Sequence, residues 1–191
     1  MEQQVTHVCR MCYVGLREIS KIRPYLSDEA TKPLVVALML SKLDCNNALL
    51  YKISKFLQNK LQSVQNNAAR VIAMKRKSDQ IEHIRRELHW LPIEFRIKYK
   101  IMLLTFKCLN NLAPKYLRAL LEIYEPQRNL HSTDRGYLKQ SKTRTATGDR
   151  AFCNAAPTLW NGLPDSIRFI KSLEVFKMAP KTHLFTTAFN L

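Results

Sequence analysis

FLQNKLQSVQNNAARVIAM, residues 56–74, decides the fold class. Leu57, Leu61, Val64, Ala68 and Val71 recur at steps of four and three, which lays one apolar stripe along a helix. Gln58, Lys60, Gln62, Gln65, Asn66 and Arg70 fall on the other faces. Lys75-Arg76-Lys77 follow at the carboxy end, where cations complement the helix dipole. Ser78 or Asp79 is placed to cap a short helix running through Glu87.

Working toward the amino terminus, a first helix is expected over residues 8–22, ending before Pro24 because proline disfavours helix at the residue before it. Ser27 has the form of an N-cap, with Asp28 and Glu29 in the first turn where the dipole favours them. Pro33 makes that start irregular before the helix continues to about residue 51. Toward the carboxy terminus, Pro92 suits the first turn of a long helix over residues 93–112. Ile97, Ile101, Leu104 and Cys108 form its buried stripe, and Arg96, Lys100 and Lys107 cluster on another side. Pro114 ends it, and residues 115–124 suit one further short helix. From 126 to 149 the apolar pattern gives way to a basic, extended connector in which TRTAT (143–147) has the alternation of a short strand. Short helices follow over 150–160, 164–170 and 173–185, the last broken or kinked at Pro180. The expected architecture is mainly α: a helical body over 1–125, a basic connector over 126–149 and a small carboxy-terminal helical lobe over 150–191.

Composition agrees with a helical globular chain. Of 191 residues, 46% are hydrophobic and 24% charged, and four glycines are too few for a turn-rich sandwich or barrel. The net charge of +16 attracts polyanions, most often nucleic acid. The longest uncharged apolar run, residues 34–40, is much too short to span a bilayer. With no charged segment followed by an apolar stretch at the amino terminus, the expected setting is intracellular, cytoplasmic or nuclear, and not secreted. The five cysteines are then expected as reduced thiols.

Several constellations have a chemical reading beside a structural one. Cys9-Arg10-Met11-Cys12, with His7 before it, has the spacing of half a zinc site, but no second pair completes it. The cysteines therefore read as core residues of the first helix, and no metal or other cofactor is expected. His89-Trp90, flanked by Leu88, Leu91 and Pro92, reads as an inter-helix corner with the indole as packing anchor. Trp160 reads as the anchor of the carboxy-terminal lobe. Pro164-Asp165 followed by Glu174 and Lys177 approaches a nuclease motif, with one residue too many between the glutamate and the lysine. Helix punctuation is the better reading.

Seven stretches in order resemble one family. They are IRPYLSDEAT (22–31), SKLDCNNALLY (41–51), LQSVQNNAARVI (61–72), ELHWLPIEFRIKYKI (87–101), LAPKYL (112–117), GDRAFCNAAPTLWNGLP (148–164) and KTHLF (181–185). Together they resemble the carboxy-terminal segment, thumb and beyond, of jockey-like non-LTR (LINE) retrotransposon reverse transcriptases, over nearly the whole chain. The chain departs from that family's pattern at Asp44-Cys45-Asn46-Asn47, at Lys52, where the family favours glycine, and at Pro180. The resemblance implies helices that contact template RNA or a primer–template duplex and perform no chemistry. The family's polymerase signature is an aromatic-Ala-Asp-Asp turn for two-metal phosphoryl transfer. Here the six aspartates are dispersed with no adjacent pair. The chain therefore reads as a non-enzymatic fragment of an RNA-directed DNA polymerase, truncated from its catalytic core.

The expected nucleic-acid contacts are three basic groups: Lys75, Arg76 and Lys77; Arg96, Lys100 and Lys107; and the connector cations Arg128, Arg135, Lys139, Lys142, Arg144 and Arg150. Gln62, Gln65, Asn66 and Asn67 are placed to add side-chain hydrogen bonds. Lys21, Arg23 and Lys32 read as cations outside this groove. The expected partners are RNA or an RNA–DNA duplex and the polymerase core of the parent element, with no membrane and no small-molecule substrate. The alternative is a helical protein-interaction module whose basic surface meets an acidic partner.

Overall fold

A computed structural model describes residues 1–125 and 136–190. The fold is mainly helical, and among the described residues the only sheet-like pairing is one antiparallel bridge between Ile123 and Leu138. No helix among them is long and apolar enough to cross a membrane. Contacts divide the chain into two compact units, cut differently from the three-part reading along the sequence: Met1–Asn47 with Ile53–Arg96, and Ala48–Lys52 with Ile97–Leu191.

The first unit is built on α1 (Glu2–Ile22), which begins six residues before the expected start. Val5, Cys9, Cys12, Leu16 and Ile19 are its buried face, again at steps of four and three. A 3₁₀ turn (Arg23–Tyr25) carries Pro24, and Ser27 then caps α2 (Asp28–Val35), its hydroxyl accepting from Ala30 N at 3.2 Å. Pro33 sits inside α2, and the irregularity follows it as a π-helical turn (Val36–Leu40) before α3 (Ser41–Asp44) and a 3₁₀ turn (Asn47–Leu50). One continuous helix to residue 51 is therefore not formed. Gly15 lets this segment approach, since a Cβ there would meet Met39 Sδ at 3.3 Å.

α4 (Lys55–Ala73) packs against α1 and buries Leu57, Leu61, Val64, Gln65, Ala68, Ala69 and Ile72. Each fully buried aliphatic side chain of leucine or valine size contributes about 1.5–3 kcal/mol. The expected Val71 is only half-buried, and Ile72 takes its place in the core. α5 (Glu82–Glu87) has Ile81 as its N-cap residue with no side-chain cap; neither Ser78 nor Asp79 fills that role. Asp79 instead accepts from Arg76 N at 2.9 Å, because its carboxylate closes the turn before the helix.

α6 (Ile93–Leu109) begins after Pro92 as expected, with Arg96 N bonded to the Pro92 carbonyl at 3.0 Å. With so few glycines, α4, α5 and α6 all end on left-handed residues of other types: Met74 (φ 51°), His89 (φ 54°) and Asn111 (φ 57°). In each case the next residue closes the end with a 6→1 bond: Lys75 N to Arg70 O at 3.0 Å, Trp90 N to Arg85 O at 2.8 Å, Leu112 N to Lys107 O at 2.8 Å. Trp90 is buried beside this corner, as its apolar flanks predict.

In the second unit, Ile97, Ile101 and Cys108 of α6 are buried with Met102, Thr105 and Phe106, while Leu104 is half-buried. Phe106 stacks on Phe176 (centroids 4.1 Å apart), which in turn meets Trp160 at 5.7 Å. This aromatic column anchors α9 (Phe152–Asn161) and α11 (Leu173–Phe189), with α7 (Lys115–Arg118), α8 (Ala146–Arg150) and α10 (Asp165–Arg168) as short helices around it. The expected helix over 115–124 is thus one turn only. TRTAT forms no strand: Thr145 caps α8, its hydroxyl accepting from Gly148 N at 3.0 Å. α11 runs through Pro180, which is buried, and on the turn that proline disturbs the Tyr99 hydroxyl donates to the Lys177 carbonyl at 3.0 Å. An outside donor on that turn is how a helix tolerates an internal proline. The described part of the connector is held on both sides: Tyr124 N donates to Tyr137 O at 2.9 Å, and the Asn161 amide pairs with both backbone groups of Leu138.

Candidate nucleic-acid interface

Lys75, Arg76 and Lys77 leave the end of α4 on a tight turn and are all exposed. The turn is closed by Lys75 N to Arg70 O, by Arg76 N to the Asp79 carboxylate, and by Asp79 N to Arg76 O at 3.2 Å. None of the three side chains has an ion-pair partner among the described residues. Three unneutralised cations on a fixed backbone suit phosphate contact.

Beneath this turn lies a side chain that the sequence reading put outside the groove. Arg23 is only 7% exposed. Its Nε donates to Val71 O at 3.0 Å and its Nη2 to Ile72 O at 2.7 Å, so it caps the last turn of α4; Nη1 donates to Leu26 O at 2.7 Å, and Nη2 also pairs with Asp28. A cation at the negative end of the helix dipole is favourable. Arg23 is therefore a structural cap and not a spare surface charge. No local signal marks it, because its partners lie 48 and 49 residues away.

The expected amide contacts fare differently from one another. Gln65 is wholly buried, its Nε2 donating to Leu91 O at 2.8 Å and its Oε1 accepting from Gln62 Nε2 at 2.8 Å. Gln62 Oε1 accepts from Ile93 N at 3.0 Å. The pair ties α4 to the start of α6, and both amides are engaged within the fold. Asn66 accepts from Gln62, and Asn67 donates to the Tyr13 hydroxyl while accepting from Arg70.

Arg96 also belongs to the first unit and is engaged by Asp44, with Nε donating to Oδ1 at 2.9 Å and Nη2 to Oδ2. A bidentate pair of this kind fixes the guanidinium, and Arg96 braces α3 against α6. Lys100, Lys107, Lys139, Lys142, Arg144 and Arg150 belong to the second unit. Lys100 and Lys107 are half-buried. Lys139 is paired with Glu122 at 2.7 Å, and that hydrogen bond raises its pKa. Arg150 Nη2 reaches the Thr147 hydroxyl at 3.4 Å. Lys142 and Arg144 are exposed. Arg128 and Arg135 lie outside the described residues.

The other constellations are placed as follows. Cys9 and Cys12 are buried in the α1 face, and burial pushes the Cys12 thiol up to about 11. No group of three or more His, Cys, Asp or Glu side chains fit to hold a metal occurs among the described residues. Asp165 pairs with Arg168 and Glu174 with Lys177 (2.8 Å), each within one helical turn. Lys52, where the resembled family favours glycine, has a left-handed backbone (φ 51°). No family model, curated protein or solved structure matches the chain.

Proposed function

We propose that this chain is a nucleic-acid-binding structural segment of a non-LTR retrotransposon reverse transcriptase, of the thumb-and-beyond kind, which positions RNA or a primer–template duplex for a polymerase site elsewhere. The ordered resemblance and the +16 charge support the reading. The observation that carries it is Lys75-Arg76-Lys77, exposed and unneutralised on a turn locked at both ends.

The test is the salt dependence of RNA binding. Each phosphate neutralised on a single strand contributes about −0.7 to the logarithmic slope, so replacing Lys75, Arg76 and Lys77 with alanine is expected to flatten it by roughly two units. Arg10, Arg17 and Lys32, exposed cations elsewhere on the same unit, form the control set. Equal effects from the two sets would mean diffuse attraction with no site. No binding even at low salt would favour an acidic protein as partner.

A further inference from the structure

Tyr25 is 88% exposed, yet its backbone is anchored. It follows Pro24, whose ring fixes φ, and Arg23, which is bolted to the end of α4; Leu26 N closes the turn on Arg23 O at 3.1 Å. An aromatic ring normally buries 150–250 Å² of its own surface, and this one contributes almost nothing to the core. Beside it, Arg23, Pro24, Arg70, Met74 and Lys75 line a shallow cavity of about 290 Å³. That is at the small end of ligand sites, which run from roughly 300 to 1,000 Å³, and it suits one planar group. Met74 stands 64% exposed at its edge, held out by the left-handed end of α4. The Arg70 Nε lies buried with no acceptor.

The charge around this cavity is predominantly positive. From residue 70 to 79 the chain carries Arg70, Lys75, Arg76 and Lys77 against Asp79 alone, and Asp79 is occupied by Arg76 N. The carboxylate of Asp28 is held by Arg23. Exposed apolar faces beside unneutralised cations match the two halves of a nucleotide, a base with a π-face and a phosphate.

We infer that Tyr25, following Pro24 at the edge of this cavity, is a base-stacking platform for single-stranded nucleic acid, whose adjoining phosphates are held by Lys75, Arg76 and Lys77. The inference rests on the nucleic-acid reading and narrows it to an unpaired strand, because a duplex keeps its base faces stacked on each other. Stacking of one base on an aromatic ring corresponds to roughly 5- to 150-fold in affinity.

Three probes test it on the full chain: a short oligoadenylate, a strand of equal length and charge lacking its bases, and a perfectly paired RNA duplex. Tyr25→Ala is expected to weaken oligoadenylate binding roughly 5- to 150-fold, leave the abasic strand unaffected and keep the salt slope. Tyr25→Phe should restore affinity. Lys75/Arg76/Lys77→Ala should weaken all strands and flatten the slope. Wild-type binding of oligoadenylate by Tyr25→Ala, or preference for the duplex, would overturn the platform while leaving nucleic-acid binding intact. Failure of all three probes to bind at low salt would overturn both, and binding of an acidic peptide in their place would identify the other class of partner.

Discussion

Replacing Arg23 with alanine strips the carboxy end of α4 of its cap. Val71 O and Ile72 O lose the Nε and Nη2 donors, Leu26 O loses Nη1, and Asp28 loses its partner. Hydrogen bonds from a charged group contribute about 1.5–3 kcal/mol each, but the freed carbonyls regain water, so their sum overstates the loss. The Asp28 side chain is 70% exposed and adds little. Because no buried charge is left unpaired, the expected loss is about 1.5–3 kcal/mol, that of the charged hydrogen bonds net of rehydration. Arg23→Lys keeps the charge but not the planar fork that serves Val71, Ile72 and Leu26 together, and should fall between alanine and wild type. The assay is urea unfolding, followed by circular dichroism and by Trp90 fluorescence in a Trp160→Phe background, since Trp90 lies in the same unit as Arg23. With slopes of about 1–3 kcal/mol per molar, the midpoint should drop by roughly 1 M. Lys21→Ala and Lys32→Ala, on exposed side chains, should stay within about 0.5 kcal/mol of wild type. If Arg23→Ala behaved like those two, the capping argument would be refuted.

Gln65→Leu keeps an aliphatic body but orphans Leu91 O, and should cost about 1–3 kcal/mol while leaving RNA binding by the folded protein unchanged; a neutral unfolding midpoint would contradict the buried clamp. In thiol titration of the native protein, exposed Cys45 should react ahead of buried Cys9, Cys12 and Cys108, and equal rates for all of them would contradict the core packing. Because burial raises the Cys12 pKa from 9.0 to about 11, the unfolded chain releases that proton first as pH climbs. Stability should therefore fall between about pH 9 and 11, and less so in Cys12→Ala, which has no thiol to titrate; an identical decline in both would remove Cys12 as a cause. Purified chain should extend no primer on an RNA template with magnesium or manganese, and template-dependent synthesis would defeat the reading that its chemistry resides elsewhere.

The helices were legible where local pattern governs them. The stripe from Leu57 to Ala68, the cap at Ser27 and the start after Pro92 all follow from residues within a turn of each other. Gln65 was not legible: at about 100° per residue it lies about 70° from the centre of the stripe of Leu57, Leu61, Val64 and Ala68, farther than Val71 at about 50°, and its burial goes with that of Ala69 and Ile72, which rotate the buried face. Arg23 and Arg96 were not legible, because Val71 and Ile72, which bury the first, and Asp44, which engages the second, come from distant segments, and a buried arginine is written with the same letter as a solvated one. The same holds for Pro180, whose helix is sustained by contacts such as that of Tyr99 which no window around residue 180 contains. Of the basic groups, the run at 75–77 keeps its charges free, while Arg96 and Lys139 are taken by Asp44 and Glu122.

The closed turn after α4 bears on rates. The amides of Lys75, Arg76 and Asp79 are bonded before any anion arrives, so binding has mainly side chains to immobilise, at about 0.5–1.5 kcal/mol each. No backbone rearrangement need precede capture, and the surrounding positive field should lift association above the roughly 10⁵–10⁶ M⁻¹s⁻¹ of uncharged encounters, falling back as ionic strength increases. Discrimination among strands would then reside in how long each one stays, and dissociation kinetics would be where differences between one RNA and another emerge.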